Sequence, residues 1–197
     1  MRVTSRSLGP VLLAAAAVAG ALAAAPALAA DPRDELDGAV VDLGDCRTVS
    51  PAEAGLALAE GDLAGHRVTE LPPGVDGHAY DVARGEGELD FHSRQWITEV
   101  ERYGEDDYSW TGGISVDSRR SGAYTDGRAA FDAFPGADGL FFGEEVRELP
   151  DGTGFYTGDA ALFVPEPGTM ITIEVDPEAA PGGAEDVLSV VEGIERA

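Results

Sequence analysis

Asp76, His78, Asp81, Asp90 and His92 form the densest group of side chains able to do chemistry in this sequence. Residues 78–84 and 89–93 flank the segment Gly85-Glu86-Gly87-Glu88, which reads as the loop of a β-hairpin. With Arg84 facing Leu89, counting back along both strands sets Asp81 directly opposite His92, and His78 near Gln95. Opposed side chains are close enough to hydrogen-bond. A carboxylate beside an imidazole favours the protonated ring and fixes its tautomer, which prepares a general base or a metal ligand. On that reading His78, Asp81 and His92 are the candidate catalytic residues of a metal-dependent or His/Asp-assisted hydrolase. A zinc centre takes three protein ligands, so His66 or another acid would have to join His78 and His92 from a separate strand. Nothing in the spacing requires that. The competing reading, an exposed ion pair on a solvated strand face, carries more weight.

Calcium is the second ion to consider, because it takes 6–8 oxygen ligands from flexible loops. Glu105, Asp106 and Asp107 gather three acids in one expected loop, and Asp151-Gly152-Thr153-Gly154 with Asp159 offers oxygens around glycines. No segment has the D-x-[DN]-x-[DN]-G pattern, and acids are abundant enough to cluster by chance. Also absent are G-x-S-x-G, G-x-x-x-x-G-K, H-E-x-x-H and C-x-x-C. Trp96, Tyr108 and Trp110, with Tyr103, bracket the acidic turn and could stack on a sugar or a peptide, although ordinary core packing accounts for them better. The single cysteine, Cys46, cannot form an internal disulfide. Asp45 opposes a lowered thiol pKa and Arg47 favours one, so a buried free thiol is the simpler reading and an intermolecular disulfide stays open.

Charge narrows the partners. The 197 residues carry a formal net charge of −24, all 13 basic residues are Arg, and there is neither Lys nor Asn. Residues 1–29 have the order of a secretory signal peptide: Arg2 and Arg6, an apolar run over 11–25, Pro26, then Ala27-Leu28-Ala29. The apolar run is shorter than the roughly 20 residues of a membrane span. Cleavage after Ala29 and export from the cell are expected. The remainder has 11 Arg against 37 acids, a net −26. Such a surface repels nucleic acid and anionic membranes, whose binding needs cations. It attracts cationic partners such as basic peptides, or it only keeps a monomer soluble. The missing Lys and Asn also fit a codon bias, with no selection for a site.

The elements that must position these residues follow from pattern. Residues 30–38 read as a flexible acidic N-terminus and 39–197 as one domain. Residues 39–43 and 66–71 suit strands, and Ser50-Pro51-Ala52-Glu53 opens a helix that Gly61 ends. Over 94–103, Trp96, Ile97, Val100 and Tyr103 fall at helical spacing, while Trp96, Thr98 and Val100 alternate as in a strand; helix is slightly favoured. A strand over 110–116 with an irregularity at Gly112-Gly113, a loop over 118–127 and a short helix carrying Phe131 and Phe134 follow. Strands over 155–156, 160–164 and 169–175 come next, with Ile171, Ile173 and Val175 turned inward. A last helix has the stripe Val187, Val190, Val191 and Ile194. The order gives an α+β fold, an antiparallel sheet packed by helices.

From Arg128 to Ile194 the sequence runs through a short helix, the Gly-rich strand Leu149-Pro-Asp-Gly-Thr-Gly-Phe-Tyr156, two strands and an amphipathic helix. With the earlier helix start after Cys46, this layout resembles small exported actinobacterial proteins and lipoproteins with a PsbP/Mog1-like α+β fold. The resemblance implies a binding module, secreted or at the cell envelope, and no reaction. The expectation is therefore a secreted, non-catalytic acidic α+β protein without a cofactor, with a hydrolase and a weak calcium binder as alternatives.

Overall fold

The computed structural model describes residues 38, 40–42, 47–49, 63, 65–75, 79–85, 90–102 and 108–197. The runs richest in β-branched and aromatic residues, which suit a pleated, half-buried surface, supply its strands. In chain order these are β1 (Val40–Asp42), β2 (Arg47–Val49), β3 (His66–Val68), β4 (Ala79–Arg84), β5 (Phe91–Arg102) and β6 (Tyr108–Arg120). After them come β7 (Arg147–Glu148), β8 (Gly154–Tyr156), β9 (Ala160–Glu166), β10 (Thr169–Val175) and β11 (Ile194–Arg196). The helices are α1 (Gly127–Ala133), α2 (Ala137–Leu140) and α3 (Ala184–Glu192). Among the described residues β3 and β11 pair as a ribbon, and the other strands form one nine-stranded sheet in the order β2-β1-β4-β5-β6-β10-β9-β8-β7. All its described pairings are antiparallel except β1 with β4. The class is α+β, with a mostly antiparallel sheet and a few helices.

Each face of this sheet has its own core. On one, Trp96, Ile114, Val116, Phe163, Ile171 and Ile173 pack against Val187 and Val190 of α3. On the other, Leu162, Val164 and Met170 pack with Ala130 of α1 and with Phe141, which follows α2. Strands β9 and β10 lie between the two cores. Ile171, Ile173 and Val175 do point inward as expected, but Met170 and Thr172 are buried as well.

Several expectations need correction. Residues 94–102 are strand: the alternation of Trp96, Thr98 and Val100 prevails because β6 runs alongside, with Trp96 opposite Ile114. Ser118, Arg119 and Arg120 belong to β6 and not to a loop; their polar side chains fit there because β5 and β10 take the backbone on both sides. Strand β3 spans three residues, and Ile194 leaves the α3 stripe at Gly193 to pair with Val68. The anticipated helix over 50–61 and Cys46 lie outside the described residues.

The Gly112-Gly113 irregularity is real and has a steric cause. Both residues have positive φ, +79° and +108°, and a Cβ on Gly113 would overlap the Trp96 carbonyl group. Glycine lets β5 and β6 stay together through this kink.

Candidate functional site

The β4–β5 hairpin exists, but its register differs by two residues from the one expected. Arg84 faces Phe91, Ala83 faces His92 and Asp81 faces Arg94. The cause is Asp90, whose N–H donates to the Arg84 carbonyl while its own carbonyl accepts from Arg120 N–H. Asp90 thus closes the loop, and the connection is residues 85–90. A slip of two conserves the face, because side chains alternate with period two. Asp81 and His92 are therefore diagonal neighbours on one face, and they still meet.

His92 Nε2 lies 2.7 Å from Asp81 Oδ1. Arg94 donates to the same carboxylate through Nε to Oδ1 at 2.9 Å and through Nη2 to Oδ2 at 3.0 Å. An ionised carboxylate only accepts, so His92 Nε2–H is the donor to it. Burial pushes the Asp81 pKa up, but hydrogen bonds from His92 and Arg94, with the charge of Arg94 beside it, outweigh that and hold the carboxyl below its ordinary value. The pair is not the exposed one expected on a solvated face. His92 is 0 % exposed and Asp81 3 %.

Directly across from His92 on β6 stands Ser118, 1 % exposed. His92 Nδ1 and Ser118 Oγ are both buried and make no hydrogen bond among the described residues. Asp81, His92 and Ser118 thus share, with Arg94, the face that carries Trp96, Ile114 and Val116. Asp81 and His92 are legible in the sequence and Arg94 and Ser118 are not; the signal for Ser118 is its place in the inward row Ile114, Val116, Ser118 between the polar Ser115, Asp117 and Arg119.

The opposite face of the same strands holds a second polar group. Tyr80 OH donates to Gln95 Oε1. Arg119 bonds Asp117 at 3.0 Å and lies over the rings of Phe91 and Phe134, 4.6 and 5.1 Å from their centroids. Burial, with the Asp117 carboxylate adding to it, pushes the Tyr80 phenol far above its usual pKa. A cleft of about 350 Å³ opens at the glycine kink, between Gln95, Gly112, Gly113, Glu174 and Asp176.

The remaining candidates separate. His78, Tyr103, Glu105, Asp106 and Asp107 lie outside the described residues, as does Asp76. Trp96 is 7 % exposed, packed in the core beside the cleft at the glycine kink. Tyr108 and Trp110 open β6 opposite Arg102 and Val100. His66 is buried in β3. The Asp151 carboxylate accepts from Thr153 N–H and Oγ1 at 3.0 and 2.7 Å, and the Thr153 bonds lower its pKa; the Asp159 carboxylate accepts from Thr157 Oγ1 at 2.9 Å. These oxygens serve their own turns. Among the described residues no three His, Cys, Asp or Glu side chains stand together as a metal would require, and no helix there is long and apolar enough to cross a membrane.

Comparison with protein-family models, with curated proteins and with solved structures gave no significant match. Asp81, His92 and Arg94 form a largely buried hydrogen-bonded cluster.

Proposed function

We propose that this protein is an exported, non-catalytic acidic binding module, a monomeric α+β domain that engages a cationic ligand outside the cell or at its envelope. On this reading residues 1–29 are a signal peptide cleaved after Ala29, and the exported chain carries the domain. The observation that carries it is the burial of the Asp81–His92 pair: His92 at 0 % and Asp81 at 3 % exposure hold each other and Arg94, turned away from solvent. A general base must come within hydrogen-bond reach of its proton. The surface, by contrast, carries most of a net −24 and offers long-range attraction to cations. The layout resemblance to PsbP/Mog1-like exported proteins points the same way.

The test has two arms. Protein recovered from the medium of a secreting bacterial host should begin at Ala30. The purified chain should bind an immobilised oligo-arginine peptide, with affinity falling as NaCl rises, and should ignore an oligo-glutamate peptide. Turnover of an ester, peptide or glycoside substrate by the purified chain would overturn the non-catalytic reading.

One observation favours the hydrolase alternative: Asp81, His92 and Ser118 stand in the order of a carboxylate, an imidazole and a hydroxyl on neighbouring strands. His92→Ala separates the two readings. A structural His92 loses stability on replacement and there is no activity to lose. A catalytic one loses turnover while the fold survives, and stoichiometric zinc in chelator-free protein would support the metal-dependent form.

A further inference from the structure

The chain leaving α2 carries two exposed large apolar side chains, Phe142 at 80 % and Val146 at 40 %. Phe142 is held out from a fixed base. Its neighbour Phe141 is 5 % exposed and stacks on Phe131 with ring centroids 5.6 Å apart. An exposed phenyl beside an anchored one is apolar area available for burial against a partner.

The surroundings select the partner. Glu144 and Glu145 stand between the two apolar residues, and the exposed Asp138 of α2, Glu148 of β7 and Asp151 of the turn after it flank them in the chain. Arg147 is the cation of this stretch and pairs with Glu145 at 3.0 Å, which leaves Glu144 without an ion-pair partner among the described residues. A hollow of about 180 Å³ opens here, lined by Glu144, Glu145, Arg147, Tyr156, Thr157 and Gly158. A second copy of the chain would bring the same acids and a net −24 against this rim. Strand β7, the outermost at this end of the sheet, spans only two residues and offers little backbone for strand addition. Recognition here falls to side chains: an apolar one for Phe142 and Val146, cationic ones for the acids.

We propose that Phe142 and Val146, with Glu144 and Glu145 between them, dock a partner-protein segment in which an apolar residue is flanked by Arg or Lys. This rests on the cationic-ligand reading above and gives it a place. The experiment measures binding of the full chain to three fluorescent probe decapeptides: one alternating Arg and Leu, one Arg with Ser, and one Leu with Ser. The Arg/Leu probe should bind tightest. Phe142→Ser should weaken it roughly tenfold without changing the melting temperature, because the side chain is exposed. Glu144→Gln with Glu145→Gln should weaken both Arg probes and flatten their salt dependence, while the distant exposed Glu192→Gln should not. If Phe142→Ser binds like the parent chain, or Glu192→Gln is as damaging as the Glu144 and Glu145 changes, this surface is wrong and the general cationic reading stands. If the parent chain binds neither Arg probe, both fail. Concentration-dependent dimerisation abolished by Phe142→Ser would make a second copy the occupant and overturn the proposal.

Discussion

Asp81 accepts from two donors, and their removal has unequal consequences. Taking away Arg94 leaves a buried carboxylate with His92 as its remaining side-chain donor; taking away the Asp81 charge leaves a guanidinium that is itself only 12 % exposed. Breaking a buried pair from one side costs about 3–5 kcal/mol. Arg94→Met and Asp81→Asn should each lower unfolding free energy by about that amount in urea titrations, with Arg94→Met the worse. The pH dependence has a definite sign. The folded pKa of Asp81 lies below its ordinary value, so its contribution is complete above that value and is lost as pH falls through the lowered one. Acid also relieves self-repulsion among 37 acids, which acts the other way. The stability gap between the parent and Asp81→Asn isolates the first effect: it should be widest near pH 7 and narrow towards pH 3. A gap constant with pH would remove Asp81 as the titrating group. This pair was legible in the sequence because period two survives a slip of two residues. Arg94 was not, because its facing Asp81 depends on Asp90 leaving the ladder to close the loop, and no local pattern encodes that.

At the scale of elements the glycine kink is the sharpest constraint. Gly113→Ala would place a methyl group on the Trp96 carbonyl at a φ of +108°, and the pairing of the two longest strands would have to yield. A loss of about 3 kcal/mol or more is expected, combining backbone strain with core disruption. Gly122→Ala is the control. It has negative φ and open space where its Cβ would go, so it should be neutral or stabilise by about 0.4–1 kcal/mol. Thermal melts of the two variants decide this, and equal melting temperatures would contradict the kink. The sequence announced the kink through adjacent glycines inside an alternating run. It did not settle strand against helix over 94–102, since Trp, Ile and Val tolerate both and the deciding contacts come from β6, with partners from 6 to 22 residues away. The last hairpin and α3 were legible as elements, because turn residues and the helical stripe agree locally, although Ile194 leaves that stripe to pair with Val68.

For the whole molecule, the class could be read from the order of elements, but the parallel joining of β1 to β4 and the two-sided burial of β9 and β10 could not, because they depend on which sheet edge each chain segment returns to. Charge is the property of the whole that the sequence states outright, and it predicts how stability responds to salt. Exposed ion pairs such as Arg67–Glu195, Arg128–Asp132 and Arg196–Glu166 are worth about 0.2–1 kcal/mol each at best, and salt weakens them. Against them stand 37 acids and only 13 Arg, so most charge pairs across the surface are repulsive. Raising NaCl from 0.1 to 1 M shortens the screening length from about 10 Å to about 3 Å. Net relief of repulsion should raise the melting temperature by about 2–4 °C for each kcal/mol gained. A fall would mean that the attractive pairs dominate despite the count. Calcium supplies the internal comparison: millimolar CaCl₂ should shift the melt no further than NaCl of equal ionic strength, and a larger shift would require a specific calcium site, since only a ligand that prefers the folded chain stabilises it beyond screening.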